Sequence, residues 1–129
     1  MTDEAQHVAA GRSLSDTVNP GLKDVLAERY DHLVPGFSDY VVGTAYGQIY
    51  NRPGLDLKTR QLATVAALAA IGGQTRPQLK VHVGASLKAG ATRTEVTEVI
   101  LQMSLYGGFP AMVNALNAAM EVFAEEDAV

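Results

Sequence analysis

Apolar residues recur every three or four positions along most of the chain, which is the spacing of one face of an α-helix. Between Leu22 and Leu33 this spacing predicts a helix, with Asn19-Pro20 as its cap and first residue and its end near His32. The short β-branched runs do not alternate cleanly with polar residues, so no sheet is expected. The pattern therefore predicts an all-α protein.

Turn residues divide the rest of the chain into further helices. Thr92 and Glu95 have the spacing of a capping box ahead of an apolar run. The predicted helices are about Phe37 to Tyr50, Leu57 to Ile71, a helix around His82 between Thr75 and Gly90, one from Thr92 to near Gly107-Gly108, and a last one from Pro110 to about Glu126. We expect a compact bundle of about six to seven helices in a single domain, residues 1–129.

The composition points to self-association. Hydrophobic residues make up 47% of the chain and charged residues only 19%, below the usual quarter. A small monomer with so few charges leaves apolar surface in water, so we expect a homo-oligomer.

Several function classes are excluded or disfavoured by composition. The chain has no cysteine, which removes disulfides, thiolate catalysis and thiolate metal sites. The net charge is −4, no basic block occurs and aromatics are 6%, so nucleic-acid binding is not expected. Metal-binding, nucleophile-elbow and phosphate-loop motifs are not found, and we expect neither a metal nor a cofactor. No signal segment or membrane-spanning run is recognised, which predicts a cytoplasmic protein without membrane contact.

His82 is the leading candidate for chemistry, since it lies in a helical, mostly apolar segment. Gln78 or Ser86, one turn away on the same face, are the expected partners that fix its tautomer. A buried histidine with a purely structural role is the alternative. His7 and His32 are interpreted as surface histidines.

Arginine, tyrosine and glutamate side chains supply the other candidates. Arg52 and Arg60 flank a turn and a helix start, and an arginine pair suits a carboxylate ligand; helix capping or intersubunit pairing is the alternative. Tyr46 and Tyr50 share a helix face and either line a pocket or simply pack. Glu98 is a candidate partner for Arg60, Lys80 or His82, or for another subunit.

Several segments together resemble the carboxymuconolactone decarboxylase family. The match runs from about Glu4 to Glu126. It is carried by Tyr46 to Leu55, by Arg60 with Leu62 and Thr64, by Leu79 to His82, by Gly90 with Thr92, by Glu95 to Val99 and by Tyr106 to Pro110. The resemblance implies an alkylhydroperoxidase-like all-α fold and a homo-oligomer, commonly a hexamer, with a trimer as the other expectation.

The resemblance also implies a reaction and a set of roles. The reaction is cofactor-free decarboxylation of 4-carboxymuconolactone, or of a related small lactone carboxylic acid, in aromatic catabolism. His82 is then the catalytic proton donor or oxyanion partner, and Gln48 orients the reacting groups. Arg52 or Arg60 anchors the retained carboxylate, and Tyr50 and Tyr106 contact the substrate.

The sequence departs from the family pattern at informative positions. Gln48 and Tyr50 stand where many relatives have an acid and a tryptophan, and Gln61 stands where others have glutamate. Thr75 and Gln78 occupy the positions of the cysteine pair that a peroxidase branch uses, which excludes that chemistry. The alternatives are a catalytically silent or ligand-binding oligomer, and a lyase or isomerase acting on a different small acid.

Overall fold

The structure is a computed structural model that describes residues 2–129, and every regular element in that range is helical. The all-α prediction is therefore confirmed. In chain order the elements are α1 (Asp3–Val18), α2 (Leu22–Tyr30), α3 (Phe37–Val41) continuing into a π-helix (Val42–Ile49), α4 (Leu57–Ile71), a 3₁₀ turn (Gly73–Thr75), α5 (Arg76–Lys88), α6 (Arg93–Gln102), α7 (Ser104–Gly107) and α8 (Phe109–Asp127).

The chain divides into two compact units, the first ending at Leu57 and the second comprising Lys58–Val129. In the first unit, α1 packs against the π-helix, and its buried Gly11 lies against the backbone of Val42 and Gly47. A Cβ atom on Gly47 would overlap the carbonyl oxygen of His7, so the two helices approach at backbone distance. Close contact between these helices therefore requires glycine at residue 47.

Three predictions for the first unit are corrected. Asn19 is the C-cap of α1, a helix that the sequence pattern did not predict, and α2 starts after Gly21, whose φ of 81° is left-handed. The segment Phe37 to Tyr50 is not one α-helix, because its hydrogen bonding changes to the π pattern at Val42. The last π-type bond joins the N–H of Tyr50 to the carbonyl of Ala45 at 2.7 Å.

The second unit is organised around aliphatic side chains from α4, α5, α6 and α8. Val65, Val83, Val96 and Ile100 are fully buried, and the core continues through alanines of α8 such as Ala118. Small residues on α8 allow the helices to pack closely, and burial of the larger side chains supplies most of the stabilisation.

In the second unit, some helix ends are as predicted and others are corrected. The range of α4 is as predicted, and the capping box at Thr92 and Glu95 is present in full. The hydroxyl of Thr75 does not cap α5; it donates to the carbonyls of Leu68 and Gly72 at the end of α4. The predicted helix from Thr92 ends at Gln102, before the short α7, and α8 starts at Phe109.

Candidate active site

The side chain of His82 is half-buried on α5 and bonded to α4. Its Nδ1 lies 2.8 Å from Oε1 of Gln61, which is fully buried. Because a carbonyl oxygen only accepts, this contact places the imidazole proton on Nδ1. In the neutral ring, Nε2 then carries the free lone pair. Gln61 therefore selects the nitrogen at which His82 can take up a proton.

Burial sets the charge of the ring. Desolvation lowers the pKa of His82 below its ordinary value of 6.5, because the surroundings disfavour the imidazolium. His82 is consequently neutral at neutral pH, with a lone pair on Nε2.

The predicted partners of His82 are corrected. The Ser86 hydroxyl donates to the backbone carbonyl of His82 at 2.7 Å and does not contact the ring, while Gln78 is exposed. Glu98 is also exposed and makes no described ion pair. Lys80, which was one of its expected partners, contacts Glu125 at 2.8 Å instead.

Gln61 was not among the predicted site residues. It occupies the buried stripe of α4 that continues through Val65 and Ala69, where a polar residue is unusual. That position in an otherwise apolar stripe is the sequence signal that marks it. Its Nε2 atom is buried and has no hydrogen-bond partner among residues 2–129. Most buried polar side-chain atoms in proteins have a hydrogen-bond partner, so this amide nitrogen beside His82 marks residue 61 as a candidate site residue.

The two candidate arginines lie in different units. Arg60 precedes Gln61 on α4 in the second unit, is half-buried, and its backbone carbonyl accepts the Thr64 hydroxyl at 2.9 Å. Arg52 belongs to the first unit, in the exposed turn after the π-helix, where its N–H donates to the carbonyl of Ile49. Each is a possible carboxylate anchor within its own unit.

Gln48 is bonded to a histidine that the sequence did not single out. Its Nε2 lies 2.9 Å from Nδ1 of His7 in the first unit. An amide nitrogen only donates, so Nδ1 of His7 accepts and the proton of this ring is on Nε2. The two glutamine–histidine pairs thus fix opposite tautomers. His7 is half-buried and hydrogen-bonded, not a simple surface histidine as predicted.

The candidate tyrosines have different environments. Tyr46 is buried, and its ring packs edge-on against Tyr50, with centroids 5.0 Å apart. Tyr106 on α7 is 75% exposed. Between residues 2 and 129, no group of three or more histidine, aspartate or glutamate side chains is arranged to hold a metal ion.

Comparison with known proteins places this chain in a family. The model of the carboxymuconolactone decarboxylase family matches residues 35–121, a range that contains His82, Gln61 and the predicted site residues but not His7. This chain belongs to the carboxymuconolactone decarboxylase family.

Three known proteins are similar to this chain in sequence. An uncharacterized 15.0 kDa protein from the nqo9-nqo10 intergenic region of Paracoccus denitrificans is 40% identical over 122 residues, 95% of this chain and 91% of that protein. The 4-carboxymuconolactone decarboxylase of Acinetobacter baylyi is 40% identical over 87 residues, 67% of this chain and 63% of the enzyme. The nitrosuccinic acid decarboxylase npaB of Metarhizium robertsii is 29% identical over 125 residues, 90% of this chain and 85% of that enzyme.

Proposed function

We propose that this protein is a carboxy-lyase that removes CO2 from 4-carboxymuconolactone or a related small lactone carboxylic acid without a cofactor. Two of its relatives are decarboxylases by name, which supports the reaction type. The observation that carries the proposal is the His82–Gln61 pair, in which a half-buried neutral imidazole keeps Nε2 available for a proton.

Decarboxylation of such a lactone breaks the bond between the ring carbon and the carboxylate. The electron pair moves into the unsaturated lactone, CO2 leaves, and negative charge develops on the lactone oxygen. One proton must then be added to carbon. His82 supplies it after Nε2 has taken up a proton from solvent, and an anionic substrate beside the ring favours that uptake. The pKa lowered by burial makes the resulting imidazolium a stronger acid.

The remaining roles are part of the same proposal. Arg52 or Arg60 anchors the carboxylate that is retained, because a guanidinium fork binds carboxylate in two-point fashion. Tyr106, in the same unit as His82, contacts the substrate, while the roles of Gln48 and Tyr50 stay predictions from the family resemblance. A donor directed at the lactone oxygen lowers the barrier by about 3 to 4 kcal/mol in comparable sites.

A different small acid is the second candidate substrate class. The similarity to nitrosuccinic acid decarboxylase supports it, since that relative is named for an open-chain acid and not for a lactone. The test is CO2 release by the purified protein, with 4-carboxymuconolactone and nitrosuccinate as parallel substrates. Turnover of the lactone alone supports the first class, and turnover of nitrosuccinate alone supports the second. If a folded protein turns over neither, the result supports a lyase or isomerase for another small acid, or a silent or ligand-binding member of the family.

We also propose that the chain functions as a homo-oligomer, a trimer or a hexamer. Residues 99–120 contain no charged side chain. Within that segment Leu105, Tyr106 and Phe109 are each more than 70% exposed. Large apolar side chains grouped in an uncharged segment are typical of surfaces that associate.

A cytoplasmic location remains a prediction. No helix within residues 2–129 is long and apolar enough to cross a membrane.

A further inference from the structure

The second unit contains a cavity of about 190 Å³ that the proposed reaction does not use. It lies between the end of α4, the Gly72-Gly73 turn, and the first turns of α5 and α8. Within the described part of the chain, neither His82, Gln61 nor Arg60 lines it. The cavity is therefore lined independently of the histidine site.

The cavity is partly open to solvent, and about half of its wall is apolar. Leu68, Leu79, Ala111 and Ala115 contribute side chains, and Leu79 and Ala115 are buried. An engineered cavity of about 150 Å³ with an aliphatic lining is large enough to bind benzene. A space of about 190 Å³ accordingly has room for a six-membered ring with one small substituent.

Two polar groups of the lining are able to bind that substituent. Arg76 is the one charged residue that lines the cavity within the described chain. Its Nη2 lies 2.6 Å from Glu121, and its Nη1 makes only a long bond of 3.5 Å to the backbone carbonyl of Asn114. A guanidinium has five N–H donors, so donors remain for a ligand. The side-chain amide of Asn114 makes no hydrogen bond among residues 2–129.

Glu121 does not cancel the preference of Arg76 for a negatively charged ligand. Glu121 does not line the cavity, and its other oxygen lies 3.4 Å from Lys80, so its charge is shared between two cations. The Thr75 hydroxyl is already bonded to the carbonyls of Leu68 and Gly72. The side-chain donors of the lining that remain open thus belong to Arg76 and to the amide of Asn114.

We propose that this cavity is a second binding site, for a small carboxylate with an apolar body about the size of benzoate. The carboxylate accepts hydrogen bonds from Arg76 and from the amide nitrogen of Asn114, and the ring packs against Leu79 and the alanines of α8. The site goes beyond the proposed reaction, since it needs neither His82 nor catalytic turnover.

The test is a methyl-detected NMR titration of the full chain with benzoate, and with benzamide as its uncharged counterpart. We expect benzoate to shift the methyl signals of Ala111 and Ala115 with a dissociation constant on the order of 1 mM, a normal affinity for so small a ligand. Benzamide is expected to bind about tenfold more weakly, because it lacks the charge that Arg76 recognises.

Matched variants on α8 locate the site. Asn114→Asp places a carboxylate in the lining and is expected to weaken benzoate binding about tenfold or more through repulsion between like charges. Asn117→Asp makes the same change three residues further along the same helix, at an exposed position outside the lining, and is expected to change binding less than about twofold. Both residues lie in segment 99–120, so the two variants are compared at equal particle mass by sedimentation velocity. Ala111→Leu fills the cavity and is expected to abolish binding, with folding checked by circular dichroism.

Three results would overturn the site. The first is that saturating benzoate leaves the methyl signals of Ala111 and Ala115 unmoved. The second is that the shifts are centred on residues around His82. The third is that the Asn114 and Asn117 variants weaken binding equally. Each is read without any activity assay, so failure of this site is distinguishable from failure of the proposed reaction.

Discussion

At the scale of single residues, the amide of Gln61 decides which nitrogen of His82 exchanges a proton. The carbonyl oxygen of that amide accepts from Nδ1–H, and burial keeps the ring neutral. An acid at residue 61 would accept the same hydrogen bond but would add a negative charge beside the ring. The amide therefore keeps His82 a weaker base than a carboxylate partner would.

Replacing Gln61 by glutamate is expected to raise the pKa of His82, because a nearby carboxylate favours the imidazolium. The measurement is a pH titration of the His82 side-chain nitrogens by NMR, which also reports the tautomer. Gln78→Glu, an exposed position on the same helix as His82, is the matched control and is expected to move the pKa much less. An unchanged titration in Gln61→Glu would show that this amide does not control the ring.

The lowered pKa of His82 also makes stability depend on pH. The unfolded chain binds a proton at His82 near pH 6.5, while the folded chain binds it only at lower pH. The contribution of neutral His82 to the free energy of unfolding is therefore expected to be fully retained above pH 6.5. It should fall as the pH drops from 6.5 through the folded-state pKa.

Denaturant unfolding of the wild type and of His82→Gln across this range isolates the effect. The free energy of unfolding should fall less at acid pH in the variant, because the variant lacks the His82 effect. The effects of carboxylate protonation on stability are common to both proteins. Parallel pH curves for the two proteins would contradict a buried neutral His82.

How much of the site the sequence predicts depends on how far apart its members lie along the chain. His82 is identified from its own segment, because an ionisable ring in an apolar helix is unusual. Its partner lies 21 residues away on another helix. Local spacing therefore pointed to Gln78 and Ser86, which share a helix face with His82. The same limit applies to the bond between Gln48 and His7, which are 41 residues apart.

Among the helices, the prediction agrees with the structure where residues within the segment itself determine its ends. Both ends of the helix Leu57–Ile71 are predicted correctly, because the turn before it and the glycine after it directly adjoin the segment. The helix Asp3–Val18 is missed because its buried positions are small residues that give little apolar periodicity. The π-helix is missed because the spacing of apolar residues indicates a helix but does not show the change from α-type to π-type hydrogen bonds at Val42.

Gly47→Ala tests that contact. The added methyl group would overlap the backbone of α1, which cannot move as a side chain can, and the expected loss of stability is about 1 to 3 kcal/mol or more. Gly84→Ala on α5 is the matched control, since nothing lies within 4 Å of its added Cβ. That control should be neutral or stabilising by up to about 1 kcal/mol, because alanine is the better helix former. Thermal and denaturant unfolding measure both, and equal effects would contradict the close packing of α1.

For the whole molecule, the uncharged segment 99–120 is the surface through which we propose that the chain associates with copies of itself. The low charge content of the chain predicts exposed apolar surface but not its position. The structure shows that part of this surface lies in segment 99–120. In the proposed homo-oligomer, further copies of this 13.7 kDa chain cover that surface, and removing apolar area from water lowers the free energy of the assembly.

Phe109→Lys tests the assembly, because it places a charge at a position that is 71% exposed in the single chain. Sedimentation velocity is expected to show a wild-type particle several times heavier than 13.7 kDa and a lighter particle for the variant. Leu33→Lys is the matched control, with 70% exposure outside the segment, and should leave the mass unchanged. A wild-type mass of one chain would contradict the assembly.

The proposed role of His82 is to transfer the proton in a decarboxylation. The most direct measurement is the initial rate of CO2 release from 4-carboxymuconolactone by the wild type, His82→Gln and His32→Gln, the last being an exposed histidine that serves as control. We predict turnover by the wild type and by His32→Gln, and a fall of about a hundredfold to ten-thousandfold in His82→Gln, the usual contribution of a placed general acid. Wild-type turnover that persists undiminished in a folded His82→Gln protein would contradict the account.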